Sequence, residues 1–193
     1  MRLLLIGPPG SGKGTQAVRV AEHYGVAHIS SGDLLRRHIA ANTTIGRTVA
    51  DYIARGDLVP DSIVMDVLRK PVEEAANRGG YILDGFPRTV QQAEAAYLVA
   101  RKLGASVRIA IYLQVPAAEL VRRLVGRGAR EGRTDDTEAV IRHRLDVFDT
   151  STTPLLEYYD RRETLVTIDG NQPADAVTAQ IIAALDRIRP QLP

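Results

Sequence analysis

The chain has 193 residues, a formal net charge of +2 and no cysteine. This length predicts one domain, and 45% hydrophobic with 25% charged residues is typical of a globular protein. The small net charge does not favour a nucleic-acid partner, and the lack of cysteine excludes disulfides and cysteine-ligated zinc. No segment is apolar over the length of a signal peptide or a membrane span, so we expect a cytoplasmic monomer that binds no membrane.

Short apolar runs alternate with helical patterns in the first half of the chain. The runs predict strands at 3–6, 26–29 and 80–84. Helices are predicted at 13–24, 32–41, 45–54 and 61–76, the first ending at Gly25 and the last capped by Pro60-Asp61.

The same alternation continues to the end of the chain. Strands are predicted at 107–115 and 165–168, and helices at 89–103, 116–127 and 173–189. A loop is predicted at 128–132, followed by a helix that opens at the capping-box pattern Asp135-x-x-Glu138 and runs to about residue 159, divided or kinked by Pro154. The whole predicts an α/β fold, a five-stranded parallel sheet with helices on both faces, whose ligands bind at the carboxyl ends of the strands.

A glycine-rich loop follows the first predicted strand. Residues 7–15 are Gly-Pro-Pro-Gly-Ser-Gly-Lys-Gly-Thr, and a predicted helix begins at Lys13. Such a loop surrounds phosphates with backbone N–H groups, and the helix directs its positive dipole end at them. Lys13 adds a charge for the β- and γ-phosphates, and the Thr15 hydroxyl can bind Mg²⁺. The motif predicts a nucleoside triphosphate site, although Gly14 stands where the general pattern has Ser or Thr.

A second motif, Asp84-Gly85-Phe86-Pro87-Arg88, follows the third predicted strand and therefore lies at the same edge of the sheet. Asp84 can bind Mg²⁺ through water, Gly85 permits close approach to the backbone, and Pro87 stiffens the turn that aims Arg88. All but three of the 25 basic residues are arginines, which bind phosphate with two parallel N–H donors.

Together these motifs resemble the adenylate kinase family, and the resemblance covers nearly the whole chain. Residues 30–36 and 56–61 resemble the ends of its AMP-binding flap, Gly126-Arg127 and residues 133–136 flank its lid, and Asp169-Gly170 resembles the turn near the ATP base. The resemblance implies a P-loop three-layer core at 1–29, 60–125 and 137–193, a helical flap at 30–59 and a short lid at 126–136. Ser31 replaces the usual threonine and Gln172 a residue that is often lysine.

The resemblance also implies which residues act. The residues implied for ATP are Gly10, Ser11, Gly12, Lys13, Gly14, Thr15, Arg127 and Gln172. Those implied for AMP are Ser31, Arg36, Asp57, Leu58, Val59, Gly85, Phe86, Pro87, Arg88, Gln92, Arg133 and Arg144. The catalytic set is Lys13, Arg88, Arg123, Arg133 and Arg144, with Mg²⁺ at Thr15 and Asp84 and no zinc in so short a lid. Arg122, Arg130, Arg142, Arg161 and Arg162 are interpreted as solvated helix surface.

The implied reaction is reversible transfer of the terminal phosphate of ATP to AMP, giving two ADP and balancing adenine nucleotides. A UMP/CMP kinase on the same scaffold is the nearest alternative. Gln92 favours AMP because its amide can pair with the adenine edge. A non-catalytic nucleotide switch is a more distant alternative, since the chain has no Asn-Lys-x-Asp segment to recognise guanine.

Overall fold

The computed structural model describes residues 1–131 and 137–188. Its strands are Arg2–Ile6 (β1), Ala27–Ser30 (β2), Tyr81–Asp84 (β3), Ile109–Gln114 (β4) and Leu165–Asp169 (β5). Its helices are Lys13–Tyr24 (α1), Ser31–Ala40 (α2), Thr44–Arg55 (α3), Asp61–Asn77 (α4), Val90–Lys102 (α5), Ala117–Glu131 (α6), Glu138–Val147 (α7), Pro154–Asp160 (α8) and Ala174–Ile188 (α9). Within the described ranges, no helix is long and apolar enough to cross a membrane.

The five strands form one parallel sheet in the order β2-β3-β1-β4-β5. Asp84 is in register with both Ser30 and Leu5, so the loops that follow β1, β2 and β3 emerge at the same edge. The predicted α/β fold with a five-stranded parallel sheet is confirmed.

The two faces of the sheet bury different side chains. On β1, Leu4 and Ile6 join a cluster under α2, α4 and α5, whereas Leu3 and Leu5 join a cluster under α1 and α9. The alternation follows from the two-residue period of a strand, and it explains why β1 is a continuous apolar run. The sheet is therefore the middle layer of three, with the carboxyl edge left for a ligand.

Between β2 and β3 the chain forms three helices and no strand, and the first two, α2 and α3, pack against each other. They cross so closely that a Cβ on Gly46 would lie 2.1 Å from the carbonyl oxygen of His38. Each has a side-chain cap: Ser30 accepts from the N–H of Asp33, and Thr43 from that of Gly46. These caps and the tight crossing hold the pair together as a small helical layer beside the carboxyl edge.

Most predicted boundaries agree with the structure within two residues, but two details were wrong. Helix α6 continues to Glu131, so the predicted loop at 128–132 is helical over 128–131. The cap of α7 is Thr137, which accepts from the N–H of Val140, while Asp135 lies outside the described residues. Helix α4 begins at Asp61 with Pro60 as its N-cap residue, as predicted, but no side chain there accepts a cap hydrogen bond.

The chain around Pro154 divides as predicted. Helix α7 ends at Val147, a π-helical turn covers Phe148–Thr152, and α8 begins at Pro154. Proline is tolerated at the first position of a helix because its missing N–H would have no partner there.

Candidate active site

The glycine-rich loop between β1 and α1 has the backbone that its sequence requires. Gly10 and Gly12 have φ of 82° and 94°, a region that residues with a Cβ rarely occupy. Lys13 is the first residue of α1, and its Nζ donates to the carbonyl oxygens of Gly7 (2.7 Å) and Pro8 (3.0 Å). The Ser11 hydroxyl is buried without a hydrogen-bond partner among the described residues. The loop thus offers donors to an anion.

Several cations surround Lys13. Burial lowers the pKa of Lys13 to about 8 from an ordinary 10.5; Asp84 opposes this shift, and the positive charges of Arg88, Arg144 and Arg127 add to it. The three arginines come from α6, α7 and the loop after β3, three separate parts of the chain. Their convergence on one lysine indicates a site for a multiply charged anion.

The loop after β3 faces the glycine-rich loop. Asp84 is buried at the end of β3, and its carboxylate Oδ2 would lie 3.9 Å from a Cβ on Gly14. Gly85 has φ of 80° and approaches Ser31 so closely that a Cβ would lie 2.7 Å from the Ser31 hydroxyl. The Nε of Arg88 donates to the carbonyl oxygen of Gly85 at 2.8 Å, across a turn that contains the cis Phe86–Pro87 bond. This geometry fixes Arg88 beside the cleft.

Gln92 is buried beneath this loop rather than exposed in the cleft. Its Oε1 accepts from the N–H of Arg88 at 2.7 Å, and its Nε2 donates to Asp61 Oδ1 at 2.6 Å. A nucleotide base that bound the Gln92 amide would replace one of these bonds. The role of Gln92 on adenine remains a prediction.

Helix α6 contributes a carboxylate that the sequence analysis missed. Glu119 Oε1 accepts from Arg123 Nε at 2.6 Å, and both Glu119 oxygens accept from Arg122 at 2.7 Å. These hydrogen bonds lower the pKa of Glu119 to about 2. Arg122 lines the cleft, although it was assigned to the solvated surface; its side chain is 74% exposed, so both descriptions hold in part. The i, i+3 and i+4 spacing could have revealed this group.

Helix α7 meets the end of α3 at one side of the cleft. Gly56, after α3, packs against Arg144, since a Cβ there would lie 2.6 Å from Arg144 Cγ. The Asp57 carboxylate pairs with His143 Nε2 at 2.7 Å and with Arg55 Nε at 2.9 Å. Asp57 was predicted to contact AMP, but its side chain is held by α7 and α3.

A cleft of about 660 Å³ joins these groups at the carboxyl edge of the sheet. The predicted site residues that line it are Gly10, Ser11, Gly12, Lys13, Gly14, Thr15, Arg36, Leu58, Asp84, Gly85, Pro87, Arg88, Arg123, Arg127, Arg144 and Gln172. Five predicted residues do not line it: Ser31, Asp57, Val59, Phe86 and Gln92. Val59 and Phe86 are buried in the core, and Ser30 lines the cleft where Ser31 was expected. Arg133 lies outside the described residues.

Oxygen donors suited to Mg²⁺ lie on both loops. Thr15 and Asp84 line the same cleft, and Mg²⁺ usually takes one or two protein oxygens together with substrate phosphates and water. In the described part of the chain, no three His, Cys, Asp or Glu residues cluster as a metal site. The donor set therefore fits an ion that arrives with a nucleotide.

Comparison with known proteins gives one consistent result. The adenylate kinase family model matches residues 5–164. An adenylate kinase of Kocuria rhizophila is 46% identical, with 96% of this chain and 99% of the relative covered. Adenylate kinases of Trichodesmium erythraeum (44%; 97% and 99% covered) and Phocaeicola vulgatus (40%; 97% and 100% covered) are similarly related. The chain belongs to the adenylate kinase family.

Proposed function

We propose that this protein catalyses the reversible transfer of the terminal phosphate of ATP to AMP, giving two ADP, and thereby balances adenine nucleotides. One observation carries the proposal: Lys13, Arg88, Arg127 and Arg144 converge on a single cleft between two phosphate-binding loops. Two such loops facing each other suit a reaction between two phosphorylated substrates better than the binding of one. Membership of the adenylate kinase family supports the same activity.

The chemistry needs no general base from the protein. The second pKa of a phosphate monoester is about 6, so the AMP oxygen is already an anionic nucleophile at neutral pH. The difficulty is to bring that anion beside the γ-phosphate, against charge repulsion, and to hold the two in line. Lys13 and the arginines supply the compensating charge from fixed positions, which is the larger part of phosphoryl-transfer catalysis.

The two loops divide the substrates between them. The N–H groups of residues 10–15 and the dipole of α1 would hold the ATP phosphates, with Lys13 leaving the Gly7 and Pro8 carbonyls to bind them. Arg127 would join them, and Gln172, which lines the cleft beyond β5, would contact the ATP base. Arg88 and Arg36 would hold the AMP phosphate on the opposite side.

Mg²⁺ would be held by the Thr15 hydroxyl and, through water, by Asp84, together with the nucleotide phosphates. When bound, the ion neutralises part of the charge on the transferring group. Asp84 is buried at the end of β3, so its carboxylate is held at a fixed position near the start of α1. No zinc is needed in this scheme.

Water must be kept from the γ-phosphate, or ATP would be hydrolysed. We assign this task to a flap at 30–59 and a short lid at 126–136, which would move over a core at 1–29, 60–125 and 137–193. Arg144 lies on α7 beside the end of the flap, so it is placed to meet both phosphate chains when the flap closes. Arg133 would join it from the lid. We expect the enzyme to act as a monomer in the cytoplasm.

A phosphotransfer assay with ATP and a panel of AMP, UMP, CMP and GMP tests the proposal. ADP formation is followed by coupled NADH oxidation, with Mg²⁺ present. We expect turnover with AMP to exceed that with UMP and CMP, and we expect Arg88→Ala to lose most of it. Arg78→Ala, which changes an exposed arginine at the end of α4, is the matched control. Preference for UMP or CMP would favour the pyrimidine kinase alternative, and absence of any transfer would favour the nucleotide switch.

A further inference from the structure

A second cavity lies behind the Asp84–Arg88 loop, on the other side of Pro87 from the nucleotide cleft. It has a volume of about 200 Å³, is partly open to solvent, and is lined by residues of α4, α5, α8 and one face of the sheet. Its wall is mainly apolar, with Met65, Leu68, Leu83 and Ala96 among the lining residues. We call it the back pocket. It shares no catalytic side chain with the cleft.

The size of the back pocket limits what it can hold. An apolar cavity of about 150 Å³ accommodates a benzene molecule, so one of about 200 Å³ has room for a single aromatic ring with a small substituent. A nucleotide is too large. The apolar wall also disfavours a sugar or a free phosphate, because neither could replace its lost hydration there.

The lining of the back pocket also carries positive charge. Arg69 and Arg162 line it, and none of its described lining residues is acidic. The Arg162 guanidinium stacks 3.6 Å from the centre of the Tyr158 ring, and its Nη1 donates to the Tyr158 carbonyl oxygen at 3.0 Å. Arg69 has a loose ion pair with Asp66 at 3.7 Å, with both side chains largely exposed. Within the described contacts, Arg69 has a distant carboxylate partner and Arg162 is held by an aromatic ring and a carbonyl oxygen, so the positive charge of the lining is only partly compensated.

A tyrosine hydroxyl in the same wall lacks a partner. Tyr159 lines the back pocket, and no hydrogen bond of its hydroxyl occurs within the described part of the chain; the oxygen is not among the buried side-chain atoms that lack a partner, so water reaches it. By contrast, the nearby Tyr81 hydroxyl donates to the Ala105 carbonyl oxygen at 2.7 Å. Burial raises the pKa of Tyr159, while the charge of Arg162 opposes that shift, so the two groups lie within electrostatic reach. Both residues line the same small cavity, so a protonated hydroxyl and a guanidinium can both donate to one anionic group there.

We propose that the back pocket binds a small aromatic monocarboxylate. The ring packs among Met65, Leu68 and Ala96, and the carboxylate accepts hydrogen bonds from the Tyr159 hydroxyl and the Arg162 guanidinium. The negative charge of the carboxylate compensates the positive charge of the arginines, and the ring fills the apolar volume. This site is separate from the phosphotransfer chemistry and does not depend on the function proposed above.

Methionine methyl groups report on the pocket without any substitution. The chain has two methionines, of which Met65 lines the back pocket and Met1 does not. In protein labelled with ¹³C at the methionine methyls, titration with benzoate should shift the Met65 signal saturably and leave the Met1 signal in place. For a ligand of the size of benzoate we expect a Kd on the order of 1 mM. Benzamide, which has the same shape without the charge, should bind about tenfold more weakly.

Substitutions test the contributions of the charged and the apolar lining residues separately. Arg162→Gln should weaken benzoate about tenfold, whereas Arg161→Gln should not, because Arg161 pairs with Glu157 and does not line the pocket. Ala96→Leu should fill the apolar volume and abolish the Met65 titration while nucleotide turnover is retained. If that variant does not fold, the benzamide and Arg162→Gln comparisons decide on their own.

Three results would overturn the proposal. The first is a Met65 signal that does not move with benzoate. The second is equal affinity for benzamide and benzoate, or no effect of Arg162→Gln, because the carboxylate would then not contact the arginine. The third is a folded Ala96→Leu protein that still binds, which would place benzoate elsewhere.

Discussion

Nucleotide binding should take up a proton at Lys13. In the empty enzyme, burial holds its pKa at about 8 rather than 10.5, a difference of about 3 kcal/mol against the charged form. Bound phosphates bring the opposite charge and raise the pKa again. At pH 8 about half of the empty molecules therefore carry a neutral lysine, and binding of ATP should take up about 0.5 proton. Below pH 7 Lys13 is already charged, and the uptake should vanish.

Calorimetry in two buffers with different ionisation enthalpies measures this number. We expect an uptake of about 0.5 proton at pH 8 and no uptake at pH 6.5, where the terminal phosphate of ATP, with a pKa of about 6, instead releases part of a proton on binding. The affinity for ATP should fall as the pH rises above 8. Lys13→Met should remove the uptake and nearly abolish turnover, since a charge at this position contributes about 3 kcal/mol or more. Lys70→Met, at an exposed lysine of α4, is the matched control.

Two outcomes would refute the reasoning about Lys13. Proton uptake at pH 8 that survives Lys13→Met would assign the titration to another group. Uptake of the same size at pH 6.5 would show that the lysine pKa is not the cause, because a group with a pKa near 8 is charged there in both states.

Three further predictions concern the arginines, the base and the metal. Arg133→Lys and Arg144→Lys should lower kcat and kcat/KM together, because ammonium cannot reproduce two parallel N–H donors on a transferring phosphate; a raised KM with unchanged kcat would make these arginines ordinary binding groups. Gln92→Ala should raise the KM for AMP more than the KM for ATP. Equal effects on the two KM values would show that Gln92 does not contact the adenine of AMP. Activity should disappear on chelation and return with Mg²⁺, and elemental analysis of protein purified without added metal should find no stoichiometric zinc.

Local signals in the sequence predicted much of the cleft. The glycine-rich loop and the Asp84–Arg88 loop each lie within a few consecutive residues, so turn and helix chemistry determine their shape. The strands were found because both faces of the sheet are buried, which makes each a short apolar run. Arg123 and Arg127 both line the cleft because their four-residue spacing puts them on one face of α6.

Contacts between distant segments could not be predicted in the same way. Asp57 was assigned to the nucleotide, but His143 on α7 lies 2.7 Å from its carboxylate across 86 positions of sequence. Gln92 is held by Asp61 on another helix for the same reason. The end of α6 was placed too early because Gly128 suggested a loop, whereas the helix tolerates it as far as Glu131. For Asp57 and Gln92, contacts between distant elements and not local propensity determine what holds the side chain, and the role of Gln92 on adenine stays a prediction.

The order of strands in the sheet constrains how the chain can fold. β1 pairs with β3 and β4 but not with β2, so Arg2 has no strand partner until Tyr81, about 80 residues further on, is in place. β2 likewise has no strand partner before β3 is in place, because Ala27 and Arg2 both pair with Tyr81. Closing such loops makes folding slow relative to chains with local pairings. The strand that completes this half of the sheet also carries Asp84, so the long-range pairing that joins β1 to β2 and the chemistry of the finished enzyme draw on the same few residues.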